Sequence, residues 1–442
     1  MRSFLAALVA AMLVSCGGEP ADVTESPTAF LGVAAASVPL ASAPRVAASP
    51  DGNTTWLAWA EGDNARQALV AARVNSIGII EPMTVVPMAA GVIRDLQISM
   101  IGVTPVLTWR HFRDPNDVTV NAASFRGLDW QTEIAALASA QGTDVKPVTL
   151  PSGRMSLAWT RLGGAGNFEL VAARRRLDGS WSTPAVIRTG SAGMVVLRSA
   201  QASDSASGLM AIWSEAPGTG AAPAETLLSS QFDETLDAWG AAITVDAGQH
   251  YGEAAIASPA DAQWVTAWLS GGALGNTALW SKRFSAGAWS PATTRVDVGQ
   301  DDALAELVLT SRNHHVHLAW IGLPNGAATG SVRDAAFDAS AGAWSAPSLI
   351  GATPRGLPAG LRMRVEFGGT AAAVWGVSQG DGGPFLNKTD AAGAWPATAM
   401  QLDPVTAGAG PDVELFSASD IATAWYRIGA GGRADVVVRR IR

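Results

Sequence analysis

The sequence predicts an all-β protein, built as a single β-propeller of about eight four-stranded blades, with seven blades as the alternative. Two columns of regularly spaced tryptophans, with short apolar runs between turns, are the observations that predict it. Successive tryptophans of the first column are separated by 50, 50, 54, 55, 52, 55 and 50 residues. They number the repeating units 1 to 8 and are Trp59, Trp109, Trp159, Trp213, Trp268, Trp320, Trp375 and Trp425.

Each unit is expected to form four antiparallel strands. The second strand holds the first-column tryptophan and is apolar on both faces, as in Leu157-Ala158-Trp159, which predicts a neighbouring sheet on each side. Prolines such as Pro184 and Pro291 follow the second tryptophan column, and they predict an outer edge because proline lacks a backbone donor. The second column, often within Gly-x-Trp, is Trp130, Trp181, Trp239, Trp289, Trp344 and Trp395.

Unit 8 ends without a Gly-x-Trp strand, so another segment must supply its outer strand. The apolar segment 29–40 is available for this, and we expect it to close the ring by joining the two ends of the chain. The propeller domain is therefore predicted to span residues 29–442. The column tryptophans are expected to be core or rim residues. Trp56, Trp264 and Trp280 lie off the columns and are the better candidates for exposed contact.

Composition excludes several classes of function. A net charge of -8 argues against a general nucleic-acid binder. A single cysteine, Cys16, excludes an intramolecular disulfide framework and any multi-cysteine metal site. The closely spaced histidines at His315 and His317 lack a placed third ligand, and we predict no metal site and no cofactor. The chain is expected to be a monomer.

The N-terminus predicts a targeting segment over residues 1–15. An apolar run from Phe4 to Val14 is too short to span a bilayer but suits the core of a signal peptide. It ends in Leu13-Val14-Ser15-Cys16, which resembles a bacterial lipoprotein signal, in which the cysteine carries lipid such as palmitate. Residues 16–28 then form a flexible tether. The resemblance implies a lipid-anchored protein of the cell envelope, at the outer membrane; an ordinary signal peptide is the alternative.

Loops at the predicted channel mouth supply the candidate functional residues, because the loop after strand two and the link between blades share one face. Arginines there can hold a carboxylate through paired hydrogen bonds. The candidate ligand-binding residues follow the first-column tryptophans and are Glu61, Arg110, His111, Arg113, Asp114, Arg161, Glu215 and Arg427. The links between blades add Arg94, Asp95, Lys146, Arg198, His250, Tyr251, Glu253, Asp301, Asp302, Arg355 and Arg362.

The repeat resembles the sialidase-like, or BNR-type, propellers, whose blades carry Ser-x-Asp-x-Gly-x-x-Trp. Leu177-Asp178-Gly179-Ser180-Trp181 keeps the Asp, Gly and Trp with shortened spacing, whereas Ser285-Ala286-Gly287-Ala288-Trp289 lacks the Asp. The resemblance implies a hydrolase that holds a substrate carboxylate with arginines and uses a tyrosine and glutamate pair. The candidate catalytic residues are Tyr251, Glu253 and Tyr426. The chain lacks a Phe-Arg-Ile-Pro segment, and its unit count departs from six blades.

Two functions from different classes follow. The first is a cell-envelope lipoprotein whose propeller binds or scaffolds a glycan or protein ligand without catalysis. The second is a sialidase-like glycoside hydrolase, of the exo-α-sialidase type, or a lyase on the same fold. Convergence of arginines with a tyrosine or a carboxylate pair in one pocket favours the enzyme, and a spread surface favours the binder.

Overall fold

A computed structural model describes most of the chain outside the N-terminus. The described residues are 30–35, 42–49, 51–63, 65–75, 80–114, 117–133, 145–149, 154–163, 166–176, 178–190, 195–203, 208–216, 224–272, 275–298, 301, 303–323, 329–353, 356–377, 383–403, 408–417, 420–428 and 434–441. The predicted signal segment 1–15 and tether 16–28, with Cys16, lie outside them. No helix in the described ranges is long and apolar enough to cross a membrane.

Strands form the regular structure of the described residues, and the first three units each form a four-stranded antiparallel sheet in chain order. The N-terminal strand is β1 (Phe30–Ala35). Unit 1 contains β2 (Arg45–Ala48), β3 (Thr54–Gly62), β4 (Gln67–Asn75) and β5 (Thr84–Val85). Unit 2 contains β6 (Val92–Ile101), β7 (Thr104–Asp114), β8 (Asp117–Arg126) and β9 (Asp129–Thr132). Unit 3 contains β10 (Lys146–Thr149), β11 (Met155–Leu162), β12 (Phe168–Arg175) and β13 (Ala185–Thr189).

Units 4 to 6 are joined into one sheet of 14 strands. The long strand β18 joins units 4 and 5, because it pairs with β16 through its first half and with β19 through its second. Unit 6 is joined where Asn276 of β20 pairs with Leu304 of β23. The strands are β14 (Val195–Ala202), β15 (Leu209–Glu215), β16 (Glu225–Asp233), β17 (Ala238–Trp239), β18 (Ile243–Ala260), β19 (Gln263–Gly272), β20 (Gly275–Ser285), β21 (Ala288–Trp289), β22 (Thr294–Arg295), β23 (Ala303–Arg312), β24 (His315–Leu323), β25 (Ser331–Asp338), β26 (Ala343–Trp344) and β27 (Ser348–Ala352).

Unit 7 forms a four-stranded sheet, and unit 8 forms another with the N-terminal strand. Strand β1 pairs with β34 over six positions, from Phe30 opposite Arg440 to Ala35 opposite Asp435. The predicted pairing of the N-terminal segment with the last unit is therefore confirmed. The strands are β28 (Pro358–Val365), β29 (Ala371–Val377), β30 (Phe385–Lys388), β31 (Met400–Gln401), β32 (Gly408–Ser417), β33 (Asp420–Ile428) and β34 (Ala434–Ile441).

The hydrophobic core lies between consecutive units. Every first-column tryptophan is at most 1% exposed, and each sits in a cluster shared with the preceding unit. Trp320 packs with Val265, Ala267 and Leu269 of unit 5, for example. The cluster around Trp59 contains Ala422 and Val436 of unit 8, so the first and last units also pack together.

Two of the three off-column tryptophans are buried, so the expectation that they serve exposed contacts is wrong. Trp56 is 5% exposed and packs against the rings of Phe125 and Trp130 of unit 2. Trp264 is 1% exposed and reaches Gly208 of unit 4. Both lie in second strands, whose two faces are covered by neighbouring sheets, so an additional aromatic side chain there fills the same inter-sheet core.

Candidate functional site

The first strand of each unit carries one or two acidic or basic side chains. These first strands are β2, β6, β10, β14, β18, β23, β28 and β32. Their charged residues are Arg45, Arg94, Asp95, Lys146, Arg198, Asp246, Glu253, Glu306, Arg312, Arg362, Arg364, Asp412 and Glu414. Several interact electrostatically across units: Arg45 with Asp95, Arg362, Arg364 and Asp412, and Glu253 with Lys146, Glu306 and Arg362. The first strands of distant units therefore converge.

β-Bulges interrupt most of these first strands, opposite or next to the first-column tryptophan. The inserted residues include Asp95 and Glu306, whose φ angles of 55° and 43° lie in the left-handed region. A bulge leaves a backbone N–H without a ladder partner, and that N–H can bond elsewhere. The N–H groups of Gly360 and Leu361 donate to the Glu306 carboxylate, at 2.9 and 2.7 Å.

Carboxylates thus tie the first strand of one unit to the first strand of the next. Glu253 Oε2 accepts the Leu307 N–H at 2.6 Å, from unit 5 to unit 6. Asp412 Oδ2 accepts the Val46 N–H at 3.1 Å, which links unit 8 to unit 1. Arg45 Nε makes a comparable link by donating to the Leu96 carbonyl of unit 2 at 3.1 Å.

A cavity of about 270 Å³ opens where the first strands of units 1, 2, 3 and 7 begin. We call it the basic cavity and define it by Arg45, Arg94, Lys146 and Arg362. Asp95 is the one acidic side chain among the described residues that line it, and it forms an ion pair with Arg110. The lining therefore has an excess of positive charge.

Electrostatics supports that reading of the basic cavity. Burial lowers the pKa of Arg45, and the nearby Arg362 and Arg364 lower it further, while Asp412 and Asp95 oppose the change. A guanidinium stays protonated across the physiological range, so Arg45 keeps its positive charge in this partly desolvated position. An anionic group of a ligand would interact favourably with that charge.

The Glu253 side chain is exposed to solvent, but many protein atoms lie around its carboxyl group. It lies beside Lys146 and Arg362 of the basic cavity. Burial raises the pKa of its carboxyl; the negative charge of Glu306 adds to the rise, and Lys146 and Arg362 oppose it. A carboxyl group with a raised pKa can hold and deliver a proton closer to neutral pH than an ordinary glutamate.

The two tyrosines do not form a pair with Glu253. Tyr251 is buried against Trp268, and its hydroxyl donates to Asp246 at 2.8 Å. Burial and this hydrogen bond raise the Tyr251 pKa far above its ordinary value, so the phenol keeps its proton. Tyr426 is half-buried in β33, opposite Ala409 and Val436.

The candidates that follow the first-column tryptophans lie at the ends of second strands and mostly pair within their own units. Arg161 bonds Glu169 at 2.9 Å, and Arg113 bonds Asp117 at 2.8 Å. Asp114 accepts the Asp117 N–H at 2.9 Å. Glu61 is half-buried at the end of β3.

Three further candidates of this group lie in units 2, 4 and 8. His111 is 5% exposed, and burial, with a contribution from Arg113, lowers its pKa and keeps it neutral. Glu215 accepts two bonds from Arg188, at 2.6 and 3.0 Å. Arg427 lies 3.7 Å from Asp403.

The links between blades contribute more to the basic cavity than the loops do. Arg94, Asp95, Lys146 and Arg362 were expected from the sequence at the mouth, and the structure brings them together in one cavity. Arg45 was missed because it follows directly on the segment assigned to ring closure. Asp302 and Arg355 lie outside the described residues. No cluster of three or more metal-binding side chains occurs within the described part of the chain.

No protein-family model matches the sequence, and no curated protein matches it. Solved structures do match. An ulvan lyase, a polysaccharide lyase bound to -[GlcA(1-4)Rha3S]-, has a TM-score of 0.50 at 8% identity, over 79% of this chain and 92% of that one. A prolyl endopeptidase has a TM-score of 0.51 at 12% identity, over 88% of this chain and 55% of that one. The NanB sialidase of Streptococcus pneumoniae has a TM-score of 0.43 at 9% identity, over 95% of both chains.

The fold is of the propeller type. The all-β prediction is confirmed at this level, since the sheets are antiparallel and the first two matches share the architecture. At these identities the matches establish fold alone, because unrelated functions are found on propellers.

Proposed function

We propose that this chain is a lipid-anchored, monomeric propeller of a bacterial cell envelope that binds an acidic glycan in the basic cavity. The observation that carries the proposal is the meeting of Arg45, Arg94, Lys146 and Arg362 in one cavity. Asp95 is the one acidic side chain among its described lining residues, and it is already paired with Arg110. A cavity of about 270 Å³ suits one sugar unit better than the broad, flatter area of a protein interface.

The proposal includes a closed ring of eight blades, which would hold the basic residues on a rigid frame. Two contacts between units 8 and 1 support closure, the Asp412–Val46 bond and the hydrophobic cluster around Trp59. The β1–β34 pairing supports it as well, because it completes the sheet of unit 8 with the N-terminal strand. The equivalent clusters between all other consecutive units support the count of eight rather than seven.

Recognition would depend on the planar guanidinium groups. Each can present two parallel N–H donors to a carboxylate or sulfate, and such charge-assisted bonds are shorter and stronger than neutral ones. Lys146 would add a compact point charge. The sugar hydroxyls would then meet the backbone and Gln97, which also lines the cavity.

Removing one arginine from the basic cavity is expected to lower the affinity for galacturonate about 10- to 100-fold, because a charge-assisted bond contributes roughly 1.5–3 kcal/mol. The variants are Arg45→Ala and Arg362→Ala, measured by titration calorimetry against galacturonate and neutral galactose. Arg73→Ala, an exposed arginine paired with Glu81, is the control. Equal binding of both sugars, or unchanged affinity in both cavity variants, would show that the cavity is not the site.

A glycoside hydrolase or lyase is the second candidate, and the raised pKa of Glu253 beside the basic cavity is the observation that favours it. Glu253 would then act as the general acid. General acid–base groups typically contribute 10²- to 10⁴-fold, so Glu253→Gln should lower turnover of a sialoside or polyuronate by about that factor while leaving affinity intact. If the wild-type protein binds the sugar but does not turn it over, the enzymatic function fails and the binding function stands.

The same substitution makes a pH-dependent prediction about stability. A carboxyl whose folded pKa is raised favours the folded state at low pH, and this advantage is lost as pH rises through the folded pKa. Glu253→Gln keeps an acceptor for the Leu307 N–H but never ionises, so it should be more stable than wild type at pH 8 and not at pH 4. Urea unfolding at the two pH values measures this, and a Gln variant that is less stable at pH 8 would contradict it.

Membrane attachment rests on Cys16 and is tested separately. Growth of a bacterial host with labelled palmitate should label the wild-type protein, and Cys16→Ser should abolish the label and release the protein from the membrane fraction. An unlabelled wild-type protein in the soluble envelope fraction would indicate an ordinary signal peptide.

A further inference from the structure

A second cavity lies at the opposite end of the strands from the basic cavity, between units 3 and 4. Its volume is about 960 Å³. Arg175 ends β12 and pairs with Met155, which pairs with Thr149 at the far end of β10 from Lys146. We call this cavity the cleft and define it by Arg154, Arg174, Arg176, Glu234 and Trp239.

The arginines of the cleft fall into two groups. Arg174 and Arg175 are engaged: Arg174 pairs with Asp237 and stacks on the Phe232 ring at 4.5 Å, and Arg175 makes two bonds to Glu133 of unit 2, at 2.5 and 2.6 Å. Neither Arg154 nor Arg176 forms an ion pair or side-chain hydrogen bond with a described residue, although Arg176 interacts electrostatically with Asp178, which also lines the cleft. Both guanidinium groups therefore keep N–H donors that a ligand can use.

Glu234 offers the cleft an unsatisfied hydrogen-bond acceptor. Its Oε1 atom is buried and accepts no hydrogen bond from a described residue. Buried polar atoms in native proteins nearly always have a partner, and leaving one without costs roughly 1–3 kcal/mol. A hydroxyl donor from a bound molecule would satisfy this oxygen.

Apolar surface completes the cleft. Trp239 is half-buried beside Phe232, with ring centroids 5.4 Å apart. Val186, which also lines the cleft, is 47% exposed. The flat indole ring of Trp239 can cover the C–H face of a sugar ring.

We propose that the cleft is a second binding site, for a chain of acidic sugars. Such a ligand offers a partner to each of these groups: anionic groups to Arg154 and Arg176, hydroxyl donors to Glu234, and apolar ring faces to Trp239. The cleft is more than three times the volume of the basic cavity, so it takes several sugar units. The inference does not depend on the proposed function, since no residue is shared by the two sites.

The test is calorimetric titration of the full chain with a galacturonate tetrasaccharide and, as the uncharged comparison, a maltotetraose. The double variant R154A/R176A should lower the tetrasaccharide affinity of the cleft at least 10-fold, and E234Q should lower it several-fold, with a thermal unfolding midpoint no lower than that of the wild-type protein. The control R73A/R295A removes two exposed arginines elsewhere and should leave binding unchanged.

The outcomes separate the two sites. Tetrasaccharide binding that persists in R45A and R362A but is lost in R154A/R176A supports the cleft, even if the basic cavity binds nothing. Binding that is unchanged in R154A/R176A, or lost equally in R73A/R295A, overturns the proposal. Equal affinity for maltotetraose also overturns it, because the arginines would then have no anion to recognise.

Discussion

A chain that starts at residue 42, without strand β1, is expected to lose roughly 3–6 kcal/mol of unfolding free energy. Six residues of β1 pair with β34, and each paired backbone position contributes about 0.5–1 kcal/mol net. The loss also leaves β34 as an open edge, with unpaired backbone donors and acceptors that invite pairing with a second molecule. Urea unfolding and size-exclusion chromatography should therefore show lower stability and new self-association.

A chain that starts at residue 29 is the matched control, because it lacks the N-terminal segment but keeps β1. It should unfold like the protein without truncation and remain monomeric. If the chains starting at residues 29 and 42 have the same unfolding midpoint and the same elution volume, β1 does not close the propeller, and the proposal of a ring completed by the N-terminal strand fails.

The tryptophan columns made the architecture predictable from sequence. A large apolar residue that recurs every 50 to 55 residues, within a strand apolar on both faces, requires a neighbouring sheet on each side, and the structure places each of these residues between units. The missing outer strand of unit 8 was predictable for a related reason. The sheet of unit 8 has one strand too few, and an apolar segment at the other end of the chain is not assigned to any unit. Pairing that segment with unit 8 satisfies both.

The bulges of the first strands could not be predicted, and they decide where the charged side chains point. Strand alternation alone assigns a face by counting residues, and one inserted residue reverses the assignment for all positions beyond it. In β23 the insertion of Glu306 shifts the register between Ala305 and Leu307. The carboxylate of Glu306 then reaches the next unit, which no local pattern indicated.

A signal for the basic cavity was nevertheless present in the sequence. A charged residue stands 13 to 15 positions before each first-column tryptophan, in the first strand of its unit. The eight residues are Arg45, Asp95, Lys146, Arg198, Glu253, Glu306, Arg362 and Asp412. Charge is costly within a buried strand, so its repetition indicates a surface that is polar and shared by all units. The residues after the tryptophans, which the sequence analysis selected instead, mostly pair within their own units, as Arg161 does with Glu169.

The two tryptophan columns should differ sharply in their contribution to stability, and unit 6 allows a direct comparison. Trp320, of the first column, is 0% exposed and packs between units 5 and 6, whereas Trp344, of the second column, is half-buried against Phe337 at 5.0 Å. Trp320→Ala should cost roughly 3–5 kcal/mol because it leaves a large cavity, and Trp344→Ala about 1–2 kcal/mol. Urea unfolding of both variants at pH 7 measures the difference.

A third variant separates ring volume from hydrogen bonding at the first column. The Trp320 indole N–H is buried and makes no hydrogen bond to a described residue, so Trp320→Phe removes an unsatisfied donor while keeping most of the apolar area. Its cost should therefore be well below that of Trp320→Ala. At Trp213, whose N–H donates to Glu215 at 2.9 Å, the Phe substitution should cost more than at Trp320, because a hydrogen bond is lost as well. If Trp344→Ala destabilises the protein as much as Trp320→Ala does, the inter-unit clusters do not carry the stability of the propeller, and the argument that these tryptophans hold its blades together fails.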